Sequence, residues 1–176
     1  MIFDTHAHYD DEAFDEDRDQ LLSSMKDGGV GCIVNVCASA GGFGGTLELM
    51  KAYPFVYGAV GVHPDDAGIM TQDTLDEIRR LSHMEKMVAI GEIGLDYHWM
   101  TAPKDVQEKV FRRQIQLSKD LDLPFVVHTR DALEDTYAII KSEGVGPRGG
   151  IMHSFSGSLE EAKRFMDLGM MISFSG

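Results

Sequence analysis

The chain has 176 residues, enough for one domain with a full core. Its 43% hydrophobic and 26% charged content is that of an ordinary globular protein, and no apolar run reaches the roughly 20 residues of a membrane helix. A formal net charge of −13 argues against an extended electrostatic footprint for nucleic acid. It leaves a phosphodiester substrate open, because metal ions in a pocket dominate their local field.

In chain order, Met1-Ile2-Phe3-Asp4-Thr5-His6-Ala7-His8 reads as a strand over 2–8. Alternate side chains of a strand share a face, so Asp4, His6 and His8 project together and make half of a metal site. The start lacks a basic segment followed by an apolar one, so no signal peptide is expected. The acids between Asp10 and Asp19 read as the solvated start of a helix over 16–27. Leu21, Leu22 and Met25 line one side of that helix, and Gly28-Gly29 stops it. A continuous apolar strand follows over 30–37. Its Cys32 and Cys37 are the only cysteines. Their odd separation places them on opposite faces, so they read as buried, unbonded thiols of a reducing compartment, hence a cytoplasmic protein.

The glycine-rich stretch 40–45 lacks the Lys-Ser/Thr of a phosphate-binding loop and reads as a flexible loop before a short helix with Leu47 and Met50. Strand three, over 55–62, runs into Gly61-Val62-His63-Pro64. Leu75, Ile78 and Leu81 mark the next helix, and strand four covers 87–93. Val106, Val110, Phe111, Leu117 and Leu121 give the longest helix at a 3.6-residue period. Pro124 opens strand five, over 125–128, and a helix over 131–142 follows. Strand six covers 150–154, the last helix 158–168 with Leu159, Ala162, Phe165 and Met166 on one stripe, and strand seven 170–174. This alternation predicts right-handed crossovers and a parallel α/β sheet. A doubly wound sheet and a barrel both fit it, although no Gly-x-Gly-x-x-Gly follows strand one.

The polar residues at the strand ends favour the barrel. His6 and His8 end strand one, His63 strand three, Glu92 strand four, His128 strand five and His153 strand six. Five of the seven histidines thus fall at one topological position. In a (β/α) barrel those ends form the single face where catalytic residues gather. A glutamate in an apolar strand is costly to bury without a cation opposite it, and Gly91 and Gly94 leave room beside Glu92 for another group. The pattern therefore predicts metal binding. His83, in a polar helix end, reads as a surface residue, and His98 lies in the loop after strand four.

The chain resembles the TatD family of metal-dependent deoxyribonucleases, among the amidohydrolase-like TIM barrels. The resemblance rests on Phe3-Asp4-Thr5-His6-Ala7-His8, Gly61-Val62-His63-Pro64, the run from Ala89 to Tyr97, Phe111-Arg112-Arg113-Gln114, the run from Leu123 to Ala132, the run from His153 to Ser158, and Ile172-Ser173-Phe174-Ser175-Gly176. It implies a hydrolase with two divalent metal ions, Mg²⁺ or Mn²⁺ in function, with Zn²⁺ or another transition metal also suited to the donors. His6 and His8 would hold one ion, His128 and His153 the other, and Glu92 would bridge them. His63 and Arg130 would contact the scissile phosphate or its leaving group. The implied substrate is DNA or another phosphodiester, cleaved from a 3′ end. Asp96 would orient a ligand or cap its loop. Asp65 stands where the family usually carries a second histidine after the Gly-Val-His-Pro motif, and a carboxylate there would repel phosphate or recruit a cation.

The family barrel has eight strands, the last bearing an aspartate in a Thr-Asp-Ala-Pro-like motif. The sequence shows seven, so it reads as a C-terminally truncated member of one domain, weakly active or inactive, with barrel edges that invite self-association. Two other readings remain from the residues. One is an amidohydrolase-type C–N hydrolase, though such enzymes often bridge their metals with a carbamylated lysine where Glu92 stands. The other is an impaired fragment that only binds metal.

Overall fold

A computed structural model of the chain describes residues 1–37 and 42–175. Seven strands form one parallel sheet in strict sequence order: β1 (Ile2–Ala7), β2 (Val30–Val36), β3 (Val56–Val60), β4 (Met87–Asp96), β5 (Phe125–Arg130), β6 (Gly150–Met152) and β7 (Met170–Ile172). A doubly wound sheet reverses its strand order at a switch point, so sequential order excludes it. Six helices make the crossovers: α1 (Arg18–Ser24), α2 (Phe43–Ala52), α3 (Gln72–Leu81), α4 (Lys104–Asp120), α5 (Leu133–Glu143) and α6 (Leu159–Asp167).

The sheet curls strongly. His6 in β1 and His153 just after β6 stack with ring centroids 3.3 Å apart. In a flat sheet, strands five places apart would be separated by roughly 24 Å. The architecture is therefore a seven-stranded half-barrel of the TIM type. Its strand order ends at β1 and β7, where Ile2, Phe3 and Met171 are exposed.

The alternation of side chains divides the core. Val34, Val36, Ala59, Ala89 and Val126 form one compact cluster. Ile33 lies on the other face of β2, packed with Leu22 of α1 and Leu49 of α2. Most of the large apolar side chains, among them Phe111, Ile115, Phe125 and Phe165, belong to a third cluster shared by sheet and helices. Burial of aliphatic and aromatic surface at about 25 cal/mol per Å² holds these layers together.

Several expectations are revised. The first helix is shorter than 16–27, because a 3₁₀ turn at Glu12–Phe14, capped by Asp11, precedes it. Most of the acids from Asp11 to Asp19 are exposed as expected. Asp10 instead bonds Asn35 Nδ2 at 2.9 Å and Thr46 Oγ1 at 3.0 Å, tying the loop after β1 to β2 and α2. The glycine-rich stretch is not a simple loop. Phe43, Gly44 and Gly45 form the first turn of α2, while Ala40 and Gly41 lie outside the described residues. A Cβ at Gly45 would meet Asp10 Cβ at 2.7 Å, so close approach explains that glycine. Cys37 is buried as expected, whereas Cys32 is only half-buried.

The largest revision concerns β4. It continues to Asp96, so Glu92 sits inside the strand and Asp96 ends it. The space beside Gly91 and Gly94 belongs to β5. A Cβ on Gly91 would lie 2.7 Å from Val126 Cβ, and one on Gly94 would collide with the His128 carbonyl. Gly94 also has φ +145°, which disfavours any other residue. These glycines let β5 press against β4 and bring His128 to Glu92.

Candidate metal centre

Glu92 is the hub. Its carboxylate is buried, and its two oxygens face different histidines. Oε2 lies 3.4 Å from His6 Nε2 and 3.8 Å from His8 Nε2. Oε1 lies 3.2 Å from His128 Nδ1. Candidate donor atoms of His6, Glu92 and His153 all fall within 4.8 Å of one another, as do those of His63, Glu92 and His128. All five strand-end histidines therefore gather around one carboxylate. His153 stacks on His6, and His63 packs edge-on against His128 with ring centroids 4.4 Å apart. Arg130 does not join them. It is exposed, with its guanidinium carbon 5.5 Å from the Trp99 ring centroid.

Neighbouring groups fix several rings. His8 Nδ1 lies 2.8 Å from the Val36 carbonyl, which only accepts, so His8 donates from Nδ1 and turns a lone pair on Nε2 toward the pocket. Its Nε2 stands 3.0 Å from His6 Nε2. His63 Nδ1 accepts from the Asp65 N–H at 3.2 Å, which leaves Nε2 to carry the proton of the neutral ring. Asp65 holds the expected extra carboxylate between His63 Nδ1, at 3.5 Å, and the Thr101 hydroxyl, at 2.9 Å.

Asp96 caps its loop and also reaches His128. Oδ1 accepts from the N–H groups of His98 and Trp99, each at 2.9 Å, and so caps the turn. Oδ2 meets His128 Nε2 at 2.9 Å, the carboxylate–histidine arrangement that orients metal ligands.

The electrostatics are those of a site lacking positive charge. Burial alone would raise the Glu92 carboxyl, but hydrogen bonds from His128 and His6 hold it well below the ordinary value. Burial would lower His128, yet its bonds to Glu92 and Asp96 raise it above the usual histidine range. Burial lowers His63, helped by the charge of His128. Burial also lowers His153 to about 4, with His6 adding to the effect. Among the described residues, the buried Nδ1 atoms of His6 and His153 meet no hydrogen-bond partner. Unpaired imidazole nitrogens grouped around a buried carboxylate fit a divalent cation in both donor type and charge.

Four supporting residues are not evident from the strand-end pattern. Gln107 and Gln114 are buried on α4, seven residues and so about two turns apart. Gln114 accepts from the Val62 N–H at 2.7 Å and donates to the Val62 carbonyl at 3.0 Å, pinning the residue before His63. Gln107 accepts from the Asp96 N–H at 2.8 Å and donates to the carbonyls of Asp96 and Ala102, each at 2.9 Å. Asn35 accepts from the Tyr9 N–H at 2.7 Å, which fixes the chain just beyond His8. The fourth is Asp10, whose bonds to Asn35 and Thr46 anchor the same loop. The available signal was polar side chains interrupting apolar stripes.

Fold and donor set together define the class, a (β/α)-barrel protein with a candidate histidine–carboxylate metal centre. The chain belongs to the TatD related DNase family, whose model matches residues 3–176. It is 46% identical over 176 residues to the Bacillus subtilis protein named "Uncharacterized metal-dependent hydrolase YabD", covering 100% of this chain and 69% of that one. The Escherichia coli protein named "Uncharacterized metal-dependent hydrolase YcfH" is 36% identical over 181 residues, covering 100% of this chain and 67% of the relative. The crystal structure of YjjV, a TatD homologue from Escherichia coli, superposes with a TM-score of 0.86 at 33% identity, covering 97% of this chain and 66% of that one. The chain thus spans about two thirds of the length of these relatives.

Proposed function

We propose that the chain carries the metal centre of a phosphodiester hydrolase acting on DNA from a 3′ end. The observation behind this reading is the Glu92 carboxylate, whose two oxygens face two separate sets of histidines. His6, His8 and Glu92 Oε2 would hold one divalent cation, and His128 with Glu92 Oε1 the other. His153, stacked on His6, completes the donors. Two such cations, when bound, activate a water and neutralise charge on the phosphoryl oxygens. The protein's own part is to place and polarise. Asp96 holds the His128 ring so that Nδ1 faces Glu92. His63, with Nδ1 bonded to the Asp65 N–H, presents Nε2–H to a phosphate oxygen or leaving group. Arg130 supplies a forked donor to phosphate at the rim. Association through the exposed edges of β1 and β7 belongs to the same proposal, as does a cytoplasmic setting.

Parallel assays test this reading with a DNA strand bearing a free 3′ end, bis(p-nitrophenyl) phosphate and dihydroorotate. The expected result is Mg²⁺- or Mn²⁺-dependent phosphodiester cleavage that a chelator abolishes. Amide turnover without phosphodiester turnover would establish the C–N hydrolase instead. Metal binding without turnover on any substrate would establish an impaired fragment.

The same arrangement sets the pH dependence of metal binding. In the metal-free protein His128 holds its proton to a higher pH than usual, because Glu92 and Asp96 outweigh burial. Coordination through Nδ1 requires that proton to leave. Affinity should therefore fall as pH drops through the raised His128 value, above the ordinary 6.5, and binding there should release a proton. His63 and His153 are shifted the other way and are already neutral at that pH. Calorimetric titration with Mn²⁺ in buffers of different ionisation enthalpy should give buffer-dependent heats. Buffer-independent heats would contradict this.

A further inference from the structure

The only tryptophan in the chain, Trp99, stands exposed on the rim beside the metal centre. A single exposed aromatic residue needs no explanation by itself. Trp99, however, is anchored to the centre. Its N–H bonds Asp96 Oδ1, and the other oxygen of that carboxylate bonds His128. The His98 ring meets the indole edge-on with centroids 4.7 Å apart, and His98 is itself held by Asp131 at 3.2 Å. Arg130 lies over the indole, and in the strand register it pairs with Asp96. A π-surface and a cation are thus presented together, one carboxylate away from a proposed metal ligand.

The charge of the whole molecule explains what such a surface is for. A chain of net charge −13 cannot hold a nucleic acid through a broad basic groove. Stacking on an aromatic side chain does not depend on net charge, and every base has a π-face. We propose that Trp99, flanked by His98 and Arg130, stacks a nucleobase of a single-stranded DNA end whose phosphate reaches the metal centre. The inference rests on the hydrolase reading for the identity of the ligand. It adds a base-binding subsite and makes the bases, not only the phosphates, a source of affinity.

The test compares a short oligothymidylate with an abasic strand of equal length, both with phosphorothioate linkages that resist cleavage, against the full chain with Mn²⁺. Oligothymidylate should quench the fluorescence of the sole tryptophan, and the abasic strand should not. By anisotropy of labelled strands, Trp99→Ala should weaken oligothymidylate binding about tenfold, the scale of one lost base stack. Its preference for the base-bearing strand should vanish, while Trp99→Phe should keep most of it. Equal quenching by the two strands, or a preference that survives in Trp99→Ala, would overturn the subsite. Cleavage of ordinary phosphodiester DNA is followed separately by product analysis. Turnover with no base preference overturns the stacking inference and leaves the hydrolase reading standing. Base-dependent quenching without turnover does the reverse.

Discussion

Glu92→Gln should remove the capacity to hold two cations together while leaving the fold in place. Glutamine keeps the shape of the side chain, so the packing of β4 against β5 is preserved. What it loses is charge and the second acceptor. The native carboxylate faces His6 and His8 with one oxygen and His128 with the other, at 3.4, 3.8 and 3.2 Å. An amide offers one oxygen, and its NH₂ turns a donor toward nitrogens that should be lone pairs facing a cation. Losing a group that merely supports a metal ligand costs about 10–100-fold in affinity or activity. Losing the shared ligand should exceed that range for Mn²⁺ affinity. The stabilisation that saturating metal gives the native chain, about 2.7 kcal/mol at a hundredfold excess over Kd, should shrink in parallel. Calorimetry and thermal melts with and without Mn²⁺ measure both. A variant that binds metal like the native chain would show that Glu92 is not the hub.

The second large effect is expected at a residue that is not itself a candidate donor. Gln114→Leu places an apolar side chain of similar size on α4 but removes the partners of the Val62 N–H and carbonyl. Both are buried, and an orphaned buried backbone group costs about 1–3 kcal/mol. Two such groups give a loss of roughly 2–6 kcal/mol, large against the 5–15 kcal/mol of a typical domain. The residue after Val62 is His63, so any surviving folded protein should also misplace that ring. Urea denaturation should show a lower midpoint with an unchanged slope. An unchanged midpoint would mean that the backbone there finds other partners.

These two residues illustrate what the sequence made legible. Order and type of the elements followed from periodicity, because apolar stripes of period 3.6 alternated with continuous apolar runs. The gathering of His6, His8, His63, His128 and His153 followed from their place near strand ends, whereas Glu92 joins them from inside β4. Relations between strands were not legible. The stacking of His153 on His6 depends on how tightly the sheet curls, which no local pattern encodes. The bond from Asp96 to His128 depends on register, with Gly94 opposite His128 and Asp96 opposite Arg130. Gly91 and Gly94 looked like space for a ligand group, whereas they admit the neighbouring strand. The buried bonds of Gln107 and Gln114 were not legible, although Gln114 lies in the Phe111–Gln114 run, because a periodicity reading weighs the hydrophobic positions and passes over the polar ones. The Asp65 carboxylate, expected to repel phosphate or recruit a cation, accepts from the Thr101 hydroxyl.

The central claim is that one carboxylate, Glu92, joins two cation sites. Electron paramagnetic resonance of the full chain titrated with Mn²⁺ tests it most directly, because two Mn²⁺ ions sharing a carboxylate are magnetically coupled. The isolated-ion signal at low occupancy should give way to a coupled-pair spectrum as the second site fills, and Glu92→Gln should abolish the coupling. A spectrum of isolated ions at every occupancy in the native chain would contradict it.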